Sequence, residues 1–301
     1  MDQEPYIPEE QTGAGPSAKV YRAHDSKGLR TVRLKVLLSG LESRYAVDRE
    51  HLADRVASLK EIDHPQAGRL LDLDIQGDDM TLVTDYAEGL NGWEFIGRRT
   101  LSVAELRSLA VQLMSALQAG EATRTAHGDV KPSNLILSRR EGIGPVLHLQ
   151  DWGVAQSRHE QPRETLQFRA PELGPEDPAT MRADLYSAAA SLTALAVGAG
   201  YSEACRPGQP PRDWRALVEA RWQAHGGGEV AFKKWLLWLL QPEAAGRPRS
   251  ATEALKALNG AAAGTASQMS AGMVAASLLC NAAVIGTLAG YVLWLLRGRG
   301  G

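Results

Sequence analysis

His127-Gly-Asp-Val-Lys-Pro-Ser-Asn-Leu-Ile-Leu137 is the stretch on which the reading of this chain turns. It sets an imidazole (His127), a carboxylate (Asp129), an ammonium (Lys131) and a carboxamide (Asn134) directly ahead of a strand-like piece, Leu135–Leu137. A second such piece, Val146–Leu149, leads into Asp151-Trp152-Gly153 and another carboxylate. Upstream, Ser102 and Glu105 have the spacing of a capping box, and Leu106, Leu109, Leu113 and Leu117 then repeat at helical intervals. Downstream, residues 181–199, 212–225 and 229–241 predict further helices. The N-terminal third reads differently. Thr31–Leu37 alternates as a strand, with Val32 and Leu34 on one face and Arg33 and Lys35 on the other. Leu52, Val56, Leu59 and Ile62 mark a helix within Ala46–Ile62, and Met80–Thr84 returns to strand. A small strand-rich part followed by a larger helical part predicts an α+β, two-lobed architecture with a cleft between the lobes.

The chain has 301 residues, 44% of them hydrophobic, with 33 Lys and Arg against 35 Asp and Glu. That balance excludes a disordered chain, a collagen-like chain and a strongly basic nucleic-acid binder. Two distant cysteines, Cys205 and Cys280, make neither a disulfide framework nor a zinc site. The acidic start, MDQEPYIPEE, carries no secretory h-region. From Ala271 to Leu296 no residue is charged, and Arg297 and Arg299 follow. A bilayer core of about 30 Å takes about 20 apolar residues, so this run predicts one transmembrane helix; a buried Ala-rich helix is the other reading. Tyr291 and Trp294 suit its interface end. Its small residues, such as Gly272, Ala276 and Gly286, would permit a weak homodimer. The expected organisation is 1–89 for the small lobe and hinge, 90–259 for the helical lobe, 260–271 as a linker, 272–296 as the membrane helix and 297–301 as a short tail.

Several motifs fall in one order along the chain. Gly13-Ala-Gly15-Pro-Ser-Ala18-Lys-Val20 precedes Lys35 on its strand; Thr84-Asp85-Tyr86-Ala87 follows the next strand. Then come His127–Asn134, Asp151-Trp152-Gly153, Ala170-Pro171-Glu172, Asp184-Leu185-Tyr186-Ser187 and Arg247. Over residues 10–258 this order resembles the Hanks-type Ser/Thr protein kinases, of the kind bacteria carry with a membrane anchor.

The resemblance implies a role for each position. Asp129 accepts the proton of the attacking hydroxyl, and Lys131 neutralises charge on the transferred phosphoryl. Asn134 and Asp151 hold Mg2+. Gly13, Gly15 and Val20 belong to the loop over the ATP phosphates, Lys35 binds those phosphates, and the backbone near Asp85 and Ala87 binds adenine. Thr165 stands in the substrate loop, and Glu172 pairs with Arg247. The implied partner is a protein carrying a Ser or Thr acceptor, with the kinase domain on the cytoplasmic side of the membrane and no nucleic acid.

The departures from the pattern lie mostly in the nucleotide-binding lobe. Ala18 replaces the third glycine, and Arg33 replaces an alanine two residues before Lys35, which aims a long cation at the nucleotide site. Arg55 falls where the glutamate partner of Lys35 is expected; Asp54 and Asp48 are substitutes, and the other reading is that the partner is absent. Gly128 replaces the arginine that reads a phosphorylated activation loop, which implies an enzyme not switched in that way. Three readings follow: an active protein kinase, a pseudokinase scaffold, and a small-molecule phosphotransferase of the aminoglycoside or choline type. The last is disfavoured by Lys131-Pro132 and the Ala-Pro-Glu segment.

Overall fold

The computed structural model describes residues 5–14, 18–27, 29–37, 56–76, 79–140, 144–152, 163–174, 177–198, 201, 213–224 and 229–260. The chain divides into two units, Met1–Lys256 and Ala257–Gly301. Of the second, residues 257–260 are described and are helical.

The first unit begins with a five-stranded sheet. Its strands are β1 (Tyr6–Ala14), β2 (Ala18–Asp25), β3 (Thr31–Leu37), β4 (Leu70–Gln76) and β5 (Asp79–Asp85). Their order is β1-β2-β3-β5-β4, and every neighbouring pair is antiparallel. The alternation read in Thr31–Leu37 puts Val32 and Leu34 in a small core with Ala23 and Val83, onto which Tyr6, Tyr21 and Leu71 pack. Arg33 and Lys35 therefore share the opposite face of the central strand. Helix α1 covers residues 56–60, with Leu59 and Ile62 buried. The remainder of the helix expected within Ala46–Ile62, including Asp48, Asp54 and Arg55, lies outside the described residues.

The helical lobe starts with a second antiparallel sheet of β6 (Leu90–Asn91), β7 (Leu135–Arg140) and β8 (Gly144–Leu149). Helix α2 (Gly92–Ile96) is short and starts at Asn91, whose side chain accepts the Trp93 and Glu94 N–H groups while Glu94 reaches back to the Asn91 N–H. Helix α3 (Val103–Ala122) starts at Ser102 with the reciprocal Glu105 bond, and its leucine stripe is buried. Helix α4 is Arg163–Phe168, and α5 is Met181–Val197. The α5 residues from Ala183 to Ala196 are all buried, so this helix forms the centre of the lobe. Helices α6 (Trp214–Ala224) and α7 (Val230–Leu239) pack against it. A helix begins at residue 251, and Trp235 Nε1 donates to its Ala254 carbonyl at 2.8 Å. Among the described residues no helix is long and apolar enough to cross a membrane. Gly260, expected to open the linker, lies in the helix that begins at residue 251; the rest of the linker 260–271 and the run Ala271–Leu296 lie outside the described residues.

One glycine decides how β8 meets α3. Trp152, 5% exposed, rests against Gly120. A β-carbon added at Gly120 would overlap the Trp152 ring and lie 2.7 Å from the Thr125 carbonyl oxygen. Glycine inside a helix costs about 1 kcal/mol relative to alanine, but this contact leaves no room for alanine. Gly120→Ala is expected to destabilise the protein by about 1–2 kcal/mol, because overpacking costs about 1–3 kcal/mol and outweighs the propensity gain. Trp152→Phe, which removes the indole's second ring, is expected to recover part of that loss in the double variant. Urea unfolding of the four proteins measures the coupling; additive losses would refute the contact.

Candidate active site

The site is assembled on Asp184, in the first turn of α5. Its carboxylate is 2% exposed and accepts the backbone N–H of His127 at 2.6 Å and of Gly128 at 2.8 Å. Gly128 has φ of +81°, a left-handed conformation that a β-carbon would strain. The ring of His127 is fully buried. Its Nδ1 accepts the Asp129 N–H at 3.1 Å, so its Nε2 carries the proton and donates to the Gln150 carbonyl at 2.9 Å. Burial pushes the His127 pKa down to about 4, against the pull of Asp129.

This backbone presents three polar side chains together. Lys131 Nζ lies 2.9 Å from Asp129 Oδ2. Asn134, in the turn Pro132–Asn134, donates through Nδ2 to the Asp129 carbonyl at 2.7 Å and to its Oδ2 at 3.1 Å. With the NH2 group turned to Asp129, the Asn134 amide oxygen is the atom a cation would meet. The Gln150 N–H donates to the Asn134 carbonyl at 2.9 Å, which ties this turn to the residue before Asp151.

Asp151 is half-buried, with φ of +63°. Its carboxylate is held from the small lobe: Arg33 Nη1 reaches Oδ1 at 2.6 Å, Arg33 Nη2 reaches Oδ2 at 3.1 Å, and Lys35 Nζ lies 3.2 Å from Oδ2. Burial alone would raise its pKa, but Arg33 and then Lys35 reverse this and hold it well below the usual carboxylate range. The long cation at position 33 thus ends on a carboxylate of the site.

Gln150 was not marked by sequence reasoning. It is 1% exposed, donates through Nε2 to the Asp85 carbonyl at 3.2 Å, and accepts from Thr84 Oγ1 at 3.4 Å. The signal available was a carboxamide ending an otherwise apolar strand. At the hinge, the Asp85 N–H donates to the Arg69 carbonyl at 3.1 Å, and the Asp85 side chain pairs with Arg30. A carbonyl has two lone pairs, so the Asp85 oxygen retains capacity for a second donor. Ala87 lies in the link between β5 and β6.

Gly13 sits opposite Val20 across β1 and β2, and Val20 sits opposite Lys35 across β2 and β3. The strand register therefore sets the glycine strand one strand away from Lys35; Gly15 lies outside the described residues. Thr165 falls in α4 and its side chain is outside the description. Glu172 and Arg247 meet in a bidentate pair at 2.7 and 2.7 Å.

Residues 6–255 match the model of the protein kinase domain. The chain belongs to the protein kinase family. Its relatives include the serine/threonine-protein kinase ULK3 of Rattus norvegicus, 32% identical over 223 residues that make up 71% of this chain and 44% of the relative. The serine/threonine-protein kinase ATG1a of Arabidopsis thaliana is 33% identical over 62% of this chain and 30% of its own length. The chain thus spans less than half the length of these curated relatives. Among solved structures, the Mycobacterium tuberculosis PknI kinase domain superposes with a TM-score of 0.65 at 23% identity, over 85% of this chain and 96% of that one. Rad53 residues 1–466 in complex with AMP-PNP superposes with a TM-score of 0.65 at 19% identity, over 83% of this chain and 63% of that one. These structural likenesses support the two-lobed kinase fold.

Protein kinases use ATP and Mg2+, and the kinase domain's donor set suits both. Asn134 and Asp151 offer a few hard oxygen ligands, the kind Mg2+ takes beside substrate phosphates. Lys35 and Arg33 set positive charge at the same place. The Asp151 oxygens, however, are shared with both cations.

His127 gives the folded kinase domain a pH dependence of known sign. An unfolded histidine takes up a proton near pH 6.5, while the folded one does so near 4. Between these values the unfolded chain binds the extra proton, so stability present above pH 6.5 is lost as pH falls towards 4. The shift corresponds to roughly 3 kcal/mol. Urea unfolding at pH 7.5 and pH 4.5 is expected to show this fall in the wild type and a smaller fall in His127→Gln; equal falls would remove His127 as its source.

Proposed function

We propose that the kinase domain transfers the γ-phosphate of ATP to a Ser or Thr hydroxyl of a protein substrate. The observation that carries this reading is the cluster of Asp129, Lys131 and Asn134 within hydrogen-bonding distance, on a backbone pinned by Asp184. A cleft opens beside Asp129, lined also by Val130, Phe168, Arg169, Leu173 and Asp177. Its mixed apolar and charged walls suit the chain around an acceptor residue. In this reading Asp129 receives the hydroxyl proton as that oxygen bonds to the γ-phosphorus and the bond to the leaving ADP oxygen breaks. Lys131, beside the same carboxylate oxygen, offsets the charge on the transferred group. Asn134 both orients Asp129 through Nδ2 and turns its oxygen towards a cation. Mg2+, when bound, would neutralise the phosphate oxygens, with Asn134 and Asp151 as its ligands.

A scaffold without catalysis is the second reading, and the Arg33–Asp151 pair favours it, because it occupies a carboxylate that transfer needs. Phosphate transfer from labelled Mg-ATP to a protein substrate separates the two. The expected result is transfer by the wild type and a loss of at least about a hundredfold in Asp129→Asn, the scale of a general base. Wild-type transfer that survives the substitution would overturn the assignment of Asp129. No transfer by either protein would favour the scaffold.

The uncharged run Ala271–Leu296 supports a membrane-tethered kinase with its domain on the ATP side of the bilayer. The full chain is expected to stay with membranes through carbonate washing, and a chain ending at Gly260 to be released. Release of both would remove the tether.

A further inference from the structure

Arg33 and Lys35 project from one face of β3, two residues apart, at the centre of the five-stranded sheet. Both end on Asp151, which lies 118 residues beyond Arg33 in the chain. Arg33 makes the stronger contact. Its planar fork meets both carboxylate oxygens, a geometry that a lysine's point charge cannot reproduce. The pair is also sheltered, with side chains 14% and 12% exposed. Charge-assisted bonds of this kind are short and about twice as strong as neutral ones. The φ of +63° at Asp151 is costly for a residue with a β-carbon, and the two cations help hold it.

Two positive charges against one carboxylate leave an excess positive charge facing the phosphate region. A guanidinium on both oxygens of Asp151 is therefore in the position a divalent ion would need, and it carries part of the charge that ion would bring. Metal and Arg33 compete for the same two oxygens.

We infer that Arg33 is a resident cation that stands in for a divalent metal at Asp151, so that this domain binds ATP with little dependence on Mg2+. The inference rests on the nucleotide-binding reading above, and it makes Arg33, absent from the site expected by resemblance, a determinant of metal requirement. Lys35 keeps its phosphate-facing position and becomes a partner of Arg33 in neutralising the triphosphate.

The test is calorimetric binding of ATP by the full chain, in EDTA and in saturating Mg2+, with no activity readout. The wild type is expected to bind ATP with nearly equal affinity in both. Arg33→Ala frees Asp151 for the metal and removes the resident charge. Its affinity is expected to rise with Mg2+ by about tenfold or more, within the usual range of coupling between two ligands. Arg33→Lys keeps a charge but loses the fork, and an intermediate response is expected; it also serves if the alanine variant fails to fold. Asp151→Asn, placed on Arg33→Ala, is expected to abolish the gained response. A wild type that tightens tenfold on Mg2+, or variants that respond as the wild type does, would overturn the inference while nucleotide binding stands. Absence of ATP binding by every protein in both conditions would overturn the nucleotide reading and the inference with it.

Discussion

Two adjacent backbone N–H groups, those of His127 and Gly128, point into the protein interior, and one buried carboxylate satisfies both. An unpaired amide there would cost about 1–3 kcal/mol, and a carboxylate without its donors more. Asp184 and the loop therefore need each other. Asp184 sits in a helix buried on nearly every side, so the loop inherits the position of the lobe's most constrained element. The rest follows as a chain of bonds. His127 fixes the Asp129 N–H and the Gln150 carbonyl; Gln150 fixes the Asn134 carbonyl and, through its side chain, the hinge at Asp85. One continuous network thus links the centre of the helical lobe to the last residue of the small lobe's sheet.

Among the described residues, Arg33 and Arg247 each form a bidentate carboxylate pair, and the two differ in their surroundings. Arg247 is 3% exposed, and all five of its N–H donors are used: two on Glu172 and the others on the carbonyls of Gln241, Arg182 and Pro242. Its charge is also stacked over the Tyr186 ring at 4.7 Å. Such a group is fully compensated, and removing either partner strands a buried charge. Burial pushes the Glu172 carboxyl up, but its bonds to Arg247 outweigh this and hold it below its ordinary value. Arg33 lacks that carbonyl shell among the described residues. Its pair with Asp151 bridges two lobes, whereas that of Arg247 locks parts of one.

What could be read in advance depended on whether the signal was local. Helix α3 was legible because cap and stripe lie within twenty residues of each other, and β3 because one of its faces is buried. Strand β1 gave no such signal: most of its residues are exposed, so it shows no alternation. Helix α2 has five residues, too few for a period, although Asn91 and Glu94 carry its cap. At the site, Asp129, Lys131 and Asn134 were legible because eight residues contain them. The destination of Arg33 was not, because its partner lies on another lobe in a left-handed conformation that no local pattern encodes. Gln150 was missed for a related reason: its four bonds go to segments far away in the chain or to backbone, and its residue type alone names none of them.

Gly128 carries a consequence for how this molecule can change. The conformation at φ of +81° is bound from both sides, by the Asp184 bonds and by the ring of His127. A side chain with a β-carbon there would carry the strain of the left-handed region, about 1–2 kcal/mol. Residues with a β-carbon hold the same half of conformational space elsewhere in this chain, at Arg124, Asp151 and Glu229, and each bears that cost. The shape of the loop that bears Asp129 is thus carried by its main chain, with glycine sparing residue 128 the strain that Asp151 bears.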